Sequence, residues 1–491
     1  MAVFGVYVVT AIVIFAPLLN NGFAADDYYV MHRVGMEGDV LAAGFFRPLS
    51  DITLYVNYLI GGFNAFNYHF TNIFLHGIAA FMMFCICLKV SFFEKLTVDK
   101  RYPAFIAGLL FVTYPFHSES VAWVVGRASL LAGLFGIAAM LMAVSTYGIV
   151  TRVLFSCIFF FIGLLAYESI FPLPAIVVIL LWFNRAGTRE IFYWIVAYTL
   201  TLFMHFGLRL VFAGVITGNY GNAIFDFHIA RLLENAFKIS GRLVLPPSDN
   251  STLLTIGFCT MLAAFVWLKI IARKSGIRTY EELPLLFILL ISLIVPFTFS
   301  VSTRTSEGDR LLYYPSIFIC MLAAYMLLRY IHTNVWRIVA ISALLIYNIS
   351  FVQFNNTNWV HASRISDSFI NQVKLMPPGK RLFLINVPGE YRGAYVFRGA
   401  LEHALLVNGL DTVNIRAVNY INHGEMMMTP NPLEPIASAG MVSFGPSVRL
   451  VGDTLISTDF REPHLDPVKW LLPPDAALWF WDKTTLRHYL N

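Results

Sequence analysis

The sequence predicts an α-helical polytopic membrane protein that carries a small α/β domain at its C-terminal end. Three observations lead there. Of 491 residues, 58% are hydrophobic and only 13% charged, where a soluble chain carries about 25% charged residues. The apolar residues fall in long runs across residues 1–355. Beyond them the composition turns polar and β-rich. The net charge of +5 does not point to nucleic acid, because the basic residues sit in short loops between apolar runs. The cysteines Cys85, Cys87, Cys157, Cys259 and Cys320 lie in apolar runs without CxxC spacing, so neither a disulfide framework nor a zinc site is expected.

A helix of about 20 residues crosses the hydrocarbon core, and on that measure the chain holds about eleven spans. They cover roughly 3–19, 68–89, 103–116, 125–147, 152–167, 170–184, 191–213, 251–272, 284–300, 311–330 and 336–354. The first run lacks a basic leader and a small-residue cleavage site, so it reads as a retained span. Pro103, Pro172, Pro174 and Pro296 interrupt several runs, which lipid tolerates only where protein or a water-filled cavity satisfies the freed backbone.

The loops give the orientation. Lys89, Lys95, Lys100 and Arg101, then Arg152, then Arg185 and Arg189, then Lys269, Arg273, Lys274 and Arg278, and finally Arg329 and Arg337 alternate with loops of the other set. The positive-inside rule puts this basic set in the cytoplasm. The N-terminus is then cytoplasmic, and the C-terminal domain and the acidic loops lie outside.

Those outer loops carry the candidate chemistry. The first, NNGFAADDYY, sets Asp26 and Asp27 just beyond the first span. The pair reads either as a solvated loop that stops the helix or as a catalytic base held at the membrane surface. Further along, FFRPLSDITLYVNYLIGGFN suits a helix lying in the interface. HSESVAWVVGR supplies His117, Glu119 and Arg127, and the AYES turn supplies Glu168. The loop 214–250 carries an amphipathic stretch, DFHIARLLENAFKISGR. VSTRTSEGDRLLYYPS supplies Arg304, Glu307 and Arg310. His205 and Arg209 lie four residues apart, on one face of the 191–213 helix near its outer end. Arg209 either snorkels to the interface or faces a lipid phosphate, which a planar guanidinium binds in pairs of hydrogen bonds. The same two readings apply to Arg304 and Arg310.

The segments FAADDYYV, FRPLSDITLYVNYLIGGFNAFNYHFTNIFLHG, YPFHSESVAWVVGRASLLAGLF, AYES, HFGLRLVFAG, LENAFKISGRLVLPP and SEGDRLLYYPS occur in an order that resembles the GT-C superfamily of polytopic glycosyltransferases. The likeness is to the transmembrane O-mannosyltransferases that carry TPR repeats and to their bacterial counterparts without repeats. No repeat of about 34 residues is visible. The resemblance implies a GT-C fold over residues 1–355 and a periplasmic α/β domain over 356–491, in a bacterial inner membrane. It implies an inverting enzyme that moves a sugar from a polyprenyl-phosphate-linked donor to an acceptor hydroxyl. Membrane lipid is then a partner, the acceptor a protein, glycan or lipid, and nucleic acid is not involved.

The implied roles are Asp26 as base with Asp27 as its partner or alternate. Arg209, Arg304 and Arg310 bind the donor phosphate, while His117, Glu119, Arg127, Glu168 and Glu307 position acceptor or sugar. The family's turn often has a lysine before the glutamate; here Tyr167 stands there, which leaves Glu168's role open. Asp27 and Glu119 could offer oxygens to a divalent cation, but resembling enzymes with monophosphate donors generally work without one, so no cofactor or metal is expected.

In the tail, LFLINV, TVNIRAV, MVSFG, SVRLVG, TLIST and ALWFWD read as strands. GAYVFRGALEHALLVNG reads as a helix stopped at Gly409. Two other classes compete with the transferase: a transporter or flippase of lipid-linked sugars, and a membrane scaffold. A transporter predicts inverted repeats and midplane charges, and the charges here gather at one surface. A scaffold leaves the outer acidic and basic loops without a shared role.

Overall fold

The computed structural model describes residues 2–42, 45–96, 98–214, 228–248, 250–274, 281–377, 379–438, 440–459 and 465–489. Residues 215–227 of the loop 214–250, and Arg278 of the basic set, lie outside these. The chain forms two compact units. One holds Met1–Leu19, Asp39–Leu59 and Asn67–Asn356; the other holds Asn20–Gly38, Ile60–Phe66 and Thr357–Asn491.

The first unit is helical. Among the described residues, six helical stretches are long and apolar enough to cross a membrane: Ala2–Asn20, Ala65–Lys89, Val124–Ala143, Thr188–Ala213, Asp309–Tyr330 and Asn334–Lys374. Five apolar helices are shorter: Arg101–Val112, Ile149–Leu164, Glu168–Phe183, Ser251–Trp267 and Leu283–Ser292. Proline accounts for part of the shortening. The run expected at 284–300 divides at Leu293 into Leu283–Ser292 and Ile294–Phe299, the second containing Pro296. The run expected at 170–184 starts as a tight turn, Glu168–Ile170, and becomes regular only at Leu173. The last run does not stop at 354. Its helix continues to Lys374, since no proline or glycine intervenes before Pro377. Just past residue 354, Asn355 Nδ2 donates to Pro115 O (3.1 Å) and Asn356 Nδ2 to Ile14 O (3.1 Å).

Two kinds of surface explain why this unit needs lipid. Helix Thr188–Ala213 leaves Leu200, Phe203 and Val211 62–76% exposed, a contiguous apolar face that water would penalise. Its opposite face buries Trp194, Tyr198, Thr201, His205 and Arg209, spaced three or four apart as one stripe of a helix requires. Where helices meet each other, small residues permit close approach. A Cβ on Gly133 would lie 2.8 Å from the Tyr313 ring, and one on Gly136 would lie 3.0 Å from that of Tyr314.

In the second unit the strand-rich tail forms two main sheets. The first orders Leu486–Tyr489, Ala476–Trp481, Arg381–Ile385 and Ile415–Ala417, with Arg381–Ile385 parallel to both neighbours. The second is a five-stranded antiparallel sheet from Val468–Leu471 to Ile436–Ser438. Phe383, Ile385, Phe444, Leu455 and Phe480 share its core. The helix expected from Gly393 is cut back to Leu401–Val407. Arg392 and Gly393 both take positive φ (46° and 84°), which turns Glu390–Tyr391 back onto Ala394–Tyr395 as a hairpin. Segment Asn20–Gly38 is tied into the same unit. Ala25 N donates to Val396 O (2.7 Å), Gly22 N to Ser363 Oγ (2.8 Å), and the Tyr28 and Ser366 hydroxyls share a hydrogen bond (2.8 Å).

Candidate active site

The first unit contains a cavity of about 1040 Å³. Its lining brings together Arg209 with Arg304 and Arg310, which lie on one segment far along the chain from it, and with Lys238, Glu168 and Glu307. Phe171, Phe206, Ile294, Val295, Phe299 and Leu311 supply apolar wall. Four cationic side chains against two carboxylates leave the lining net positive, which favours an anion. The apolar remainder suits a hydrocarbon chain.

Arg209 is 1% exposed. Its Nη1 lies 2.9 Å from Glu168 Oε1, while Nε and Nη2 make no hydrogen bond among the described residues. A guanidinium so buried, with donors idle, is poised for a further acceptor. Glu168 holds a second arginine as well: its Oε2 accepts from Arg47 Nε (3.3 Å) and Nη2 (3.2 Å). Arg47 also stacks over Tyr167, 4.5 Å from the ring centroid. The residue that departs from the family's lysine is thus a platform for a cation from elsewhere in the chain.

Arg310 is set by Glu119. One carboxylate oxygen accepts from Arg310 Nη1 and the other from the Arg310 backbone N–H (2.6 Å), and the guanidinium lies 5.1 Å from the Trp123 ring centroid. Glu119 is fully buried and sits behind this arginine rather than in the cavity lining. The segment 301–312 that carries Arg304, Glu307 and Arg310 is pinned from both ends. Arg242 pairs with Asp309 and also donates to Ser302 O (2.9 Å) and Leu245 O (2.8 Å). Ser302 Oγ accepts from the backbone N–H groups of Arg304 (3.2 Å) and Thr305 (3.0 Å). Gly308, at φ 90°, lets the chain turn into Asp309. Arg304 itself is exposed.

Besides Glu119, Arg127 and His117 of the first unit lie outside that lining. Arg127 is fully buried and donates to Asn72 Oδ1 (2.7 Å), Thr53 O (3.0 Å), Asn57 Oδ1 (2.5 Å) and Tyr68 O (3.0 Å), clasping helix Pro48–Gly61 to Ala65–Lys89. His117 is fully buried among the rings of His76, Phe111, Tyr114 and Tyr313, with Nε2 2.7 Å from Ser316 Oγ. Burial, and then the nearby His76, hold it well below the usual imidazole range, so it is neutral at pH 7.

Asp26 and Asp27 belong to the second unit, at the start of helix Asp26–Met31. Asp26 is exposed. Asp27 is 1% exposed and its Oδ2 accepts from Ala24 N (3.0 Å), a partner the helix N-terminus favours. Ala25 between them has φ 48°, a strained value for a residue with a Cβ. Among the described residues no three His, Cys, Asp or Glu side chains gather as a metal-ligand group.

Arg47, Lys238 and Arg242 were not singled out in the sequence. All three lay inside quoted segments, Arg47 in FRPLSD and Lys238 and Arg242 in KISGRLVLPP, and a cation in a chain this apolar was the available signal.

No family model matches the chain. The chain is similar to ArnT from Cupriavidus metallidurans, solved bound to undecaprenyl phosphate, with TM-score 0.50 and 12% identity, covering 85% of this chain and 86% of that one. At that identity the likeness is one of fold.

In sequence, the chain is similar to the human protein O-mannosyl-transferase TMTC2, 35% identical over 96 residues, 20% of this chain and 11% of the relative. It is similar also to mouse TMTC3, 38% identical over 96 residues, 20% of this chain and 10% of the relative. Drosophila melanogaster Tmtc1 is 30% identical over 142 residues, 24% of this chain and 15% of the relative. The matched region is thus a small fraction, 10–15%, of these curated relatives. The likeness to TMTC O-mannosyltransferases stated from the motifs is found in the sequence comparison, and the likeness to ArnT is one of fold.

Proposed function

We propose that this protein is an integral-membrane glycosyltransferase that moves a sugar from a polyprenyl-phosphate donor to an acceptor hydroxyl, with inversion at the anomeric carbon. The observation that carries the reading is the cavity in which Arg209, Arg304 and Arg310 share a lining with apolar wall, and in which Arg209 keeps two buried donors unengaged. The guanidinium groups take the phosphate; the apolar wall takes the start of the lipid chain. The fold likeness to a protein solved with undecaprenyl phosphate supports the same ligand class, and the relatives' names support sugar transfer to a hydroxyl.

In the reaction the acceptor oxygen attacks the anomeric carbon, and its proton passes to a carboxylate. Asp26 has the access that role needs, and Asp27, fixed by Ala24 N, is its partner or alternate. The bond from the anomeric carbon to the phosphate oxygen breaks, and the polyprenyl phosphate leaves with the charge that Arg209, Arg304 and Arg310 receive. One displacement needs one base and inverts the centre. Glu168 and Glu119 hold Arg209 and Arg310 in place, and Glu307 faces the sugar. No metal enters this scheme. The chain sits in a bacterial inner membrane through about eleven spans, N-terminus cytoplasmic and C-terminal unit periplasmic.

The test is donor consumption by purified protein in liposomes supplied with radiolabelled polyprenyl-phosphate sugars. Asp26→Asn is expected to abolish consumption and Arg209→Gln to lower it about 10²–10³-fold. Unchanged turnover in a folded Arg209→Gln protein would overturn the reading.

A further inference from the structure

The second unit has a concave site of its own, a cavity of about 480 Å³, within the size range of small-molecule sites. Its chemistry is opposite in sign to that of the arginine-lined cavity. Among the described residues, Glu390, Glu425, Asp459 and Asp466 line it with one guanidinium, that of Arg398. An anionic ligand is therefore disfavoured.

The two most buried carboxylates are held rigidly. Glu390 is 3% exposed, and its Oε1 accepts from His423 N (2.7 Å). Glu425 is 2% exposed; one oxygen accepts from Asn422 N (3.1 Å) in a capping box and the other from Ser447 Oγ. Arg398 is braced over the Tyr395 ring, 4.4 Å from its centroid. Gly389 lets the wall close, since a Cβ there would stand 2.9 Å from Ile421 O.

We infer that this cavity binds a polyhydroxylated, non-anionic saccharide. Sugar hydroxyls both donate and accept, which suits a lining that mixes carboxylate acceptors, a guanidinium donor, and the amides and hydroxyls of Asn422 and Thr458. A lone metal ion or ammonium group fits less well. Glu390 and Glu425 already accept hydrogen bonds from His423 N, Asn422 N and Ser447 Oγ, and Arg398 repels a cation. The inference concerns binding alone and goes beyond the transferase reading.

The test is isothermal titration of the full-length protein in detergent with neutral hexose and N-acetylhexosamine trisaccharides, a uronate trisaccharide, a lysine-containing hexapeptide and calcium chloride. A neutral trisaccharide is expected to bind and the uronate not to. Asp459→Ala, at an exposed position, should weaken binding about tenfold, as should Glu390→Gln. Arg209→Gln should leave saccharide binding unchanged while impairing transfer, which separates failure of this inference from failure of the other. Absence of saccharide binding, binding that ignores both cavity substitutions, or displacement of the saccharide by the peptide or by calcium would overturn it.

Discussion

Arg127 and Arg209 are both buried in the helical unit, at 0% and 1% exposure, yet their surroundings differ in kind. On Arg127, two asparagine side chains and two backbone carbonyls engage all three nitrogens. Arg209 faces one carboxylate through one nitrogen and leaves two nitrogens unengaged beside a cavity of about 1040 Å³. A guanidinium that serves architecture has its donors used up by the fold. One that serves a ligand keeps donors back, at a cost in stability that the Glu168 pairing offsets.

Substitution should separate the two. Arg127→Ala strands Asn57, Asn72 and two carbonyls inside the unit, so a loss on the order of 3 kcal/mol or more in stability is expected. It should be seen as a large fall in Tm by detergent-phase thermal melting, with little folded protein left to assay. Arg209→Gln should move in the other direction on both axes: a Tm near that of the parent, and transfer lowered about 10²–10³-fold. If Arg209→Gln melts as early as Arg127→Ala, the distinction between the two arginines is lost.

Part of this contrast was legible in the sequence. The spacing of His205 and Arg209 put both on one helical face, and the helix does turn that face inward. The polar run TRTSEGDR between apolar stretches marked Arg304 and Arg310, and both line the cavity. What spacing could not supply was the partner of each charge. Arg47 meets Glu168 and Arg242 meets Asp309 across long stretches of chain, and no local periodicity encodes such pairs. Read from sequence, Arg127 has a place in positioning acceptor or sugar and Arg209 one in binding phosphate; the oxygens gathered around Arg127 show the structural part it plays. The tail shows the same limit. Its strands were readable from β-rich runs, whereas the hairpin at Arg392-Gly393 depended on two left-handed residues, only one of which is glycine.

Smaller effects sharpen the comparison. Glu168→Gln keeps a hydrogen-bond acceptor for Arg209 and Arg47 but removes the charge that fixes both. Transfer should fall about tenfold, mainly through kcat, since charge-assisted hydrogen bonds are about twice as strong as neutral ones. Arg310→Lys keeps the charge but not the fork that spans Glu119 and the Trp123 ring, and a loss of similar or lesser size is expected in the same assay. Equal activity of Arg310→Lys and the parent would mean that position 310 contributes charge alone.

The smallest effect concerns an anion with saturated partners, the counterpart of Arg127 in the second unit. Asp482 is fully buried by exposure and accepts from the backbone N–H groups of Thr484 and Thr485 (both 2.7 Å) and from the Thr484 hydroxyl (2.7 Å); it also pairs with Arg487 (2.6 Å). Burial alone would raise its pKa, but the Thr485 and Thr484 donors, and then Arg487, outweigh it and hold the carboxyl below the usual range. A group whose folded pKa is depressed stabilises the fold above its unfolded value, about 3.9. That contribution is lost as pH falls through the lower folded value. Acid titration followed by tryptophan fluorescence should therefore show a loss of stability below about pH 4 to which Asp482 contributes, and Asp482→Asn should flatten that part of the profile while lowering stability at pH 7. An unchanged acid profile in Asp482→Asn would mean that the saturated partners contribute geometry without favouring the charged form, and the parallel with Arg127 would then rest on packing alone.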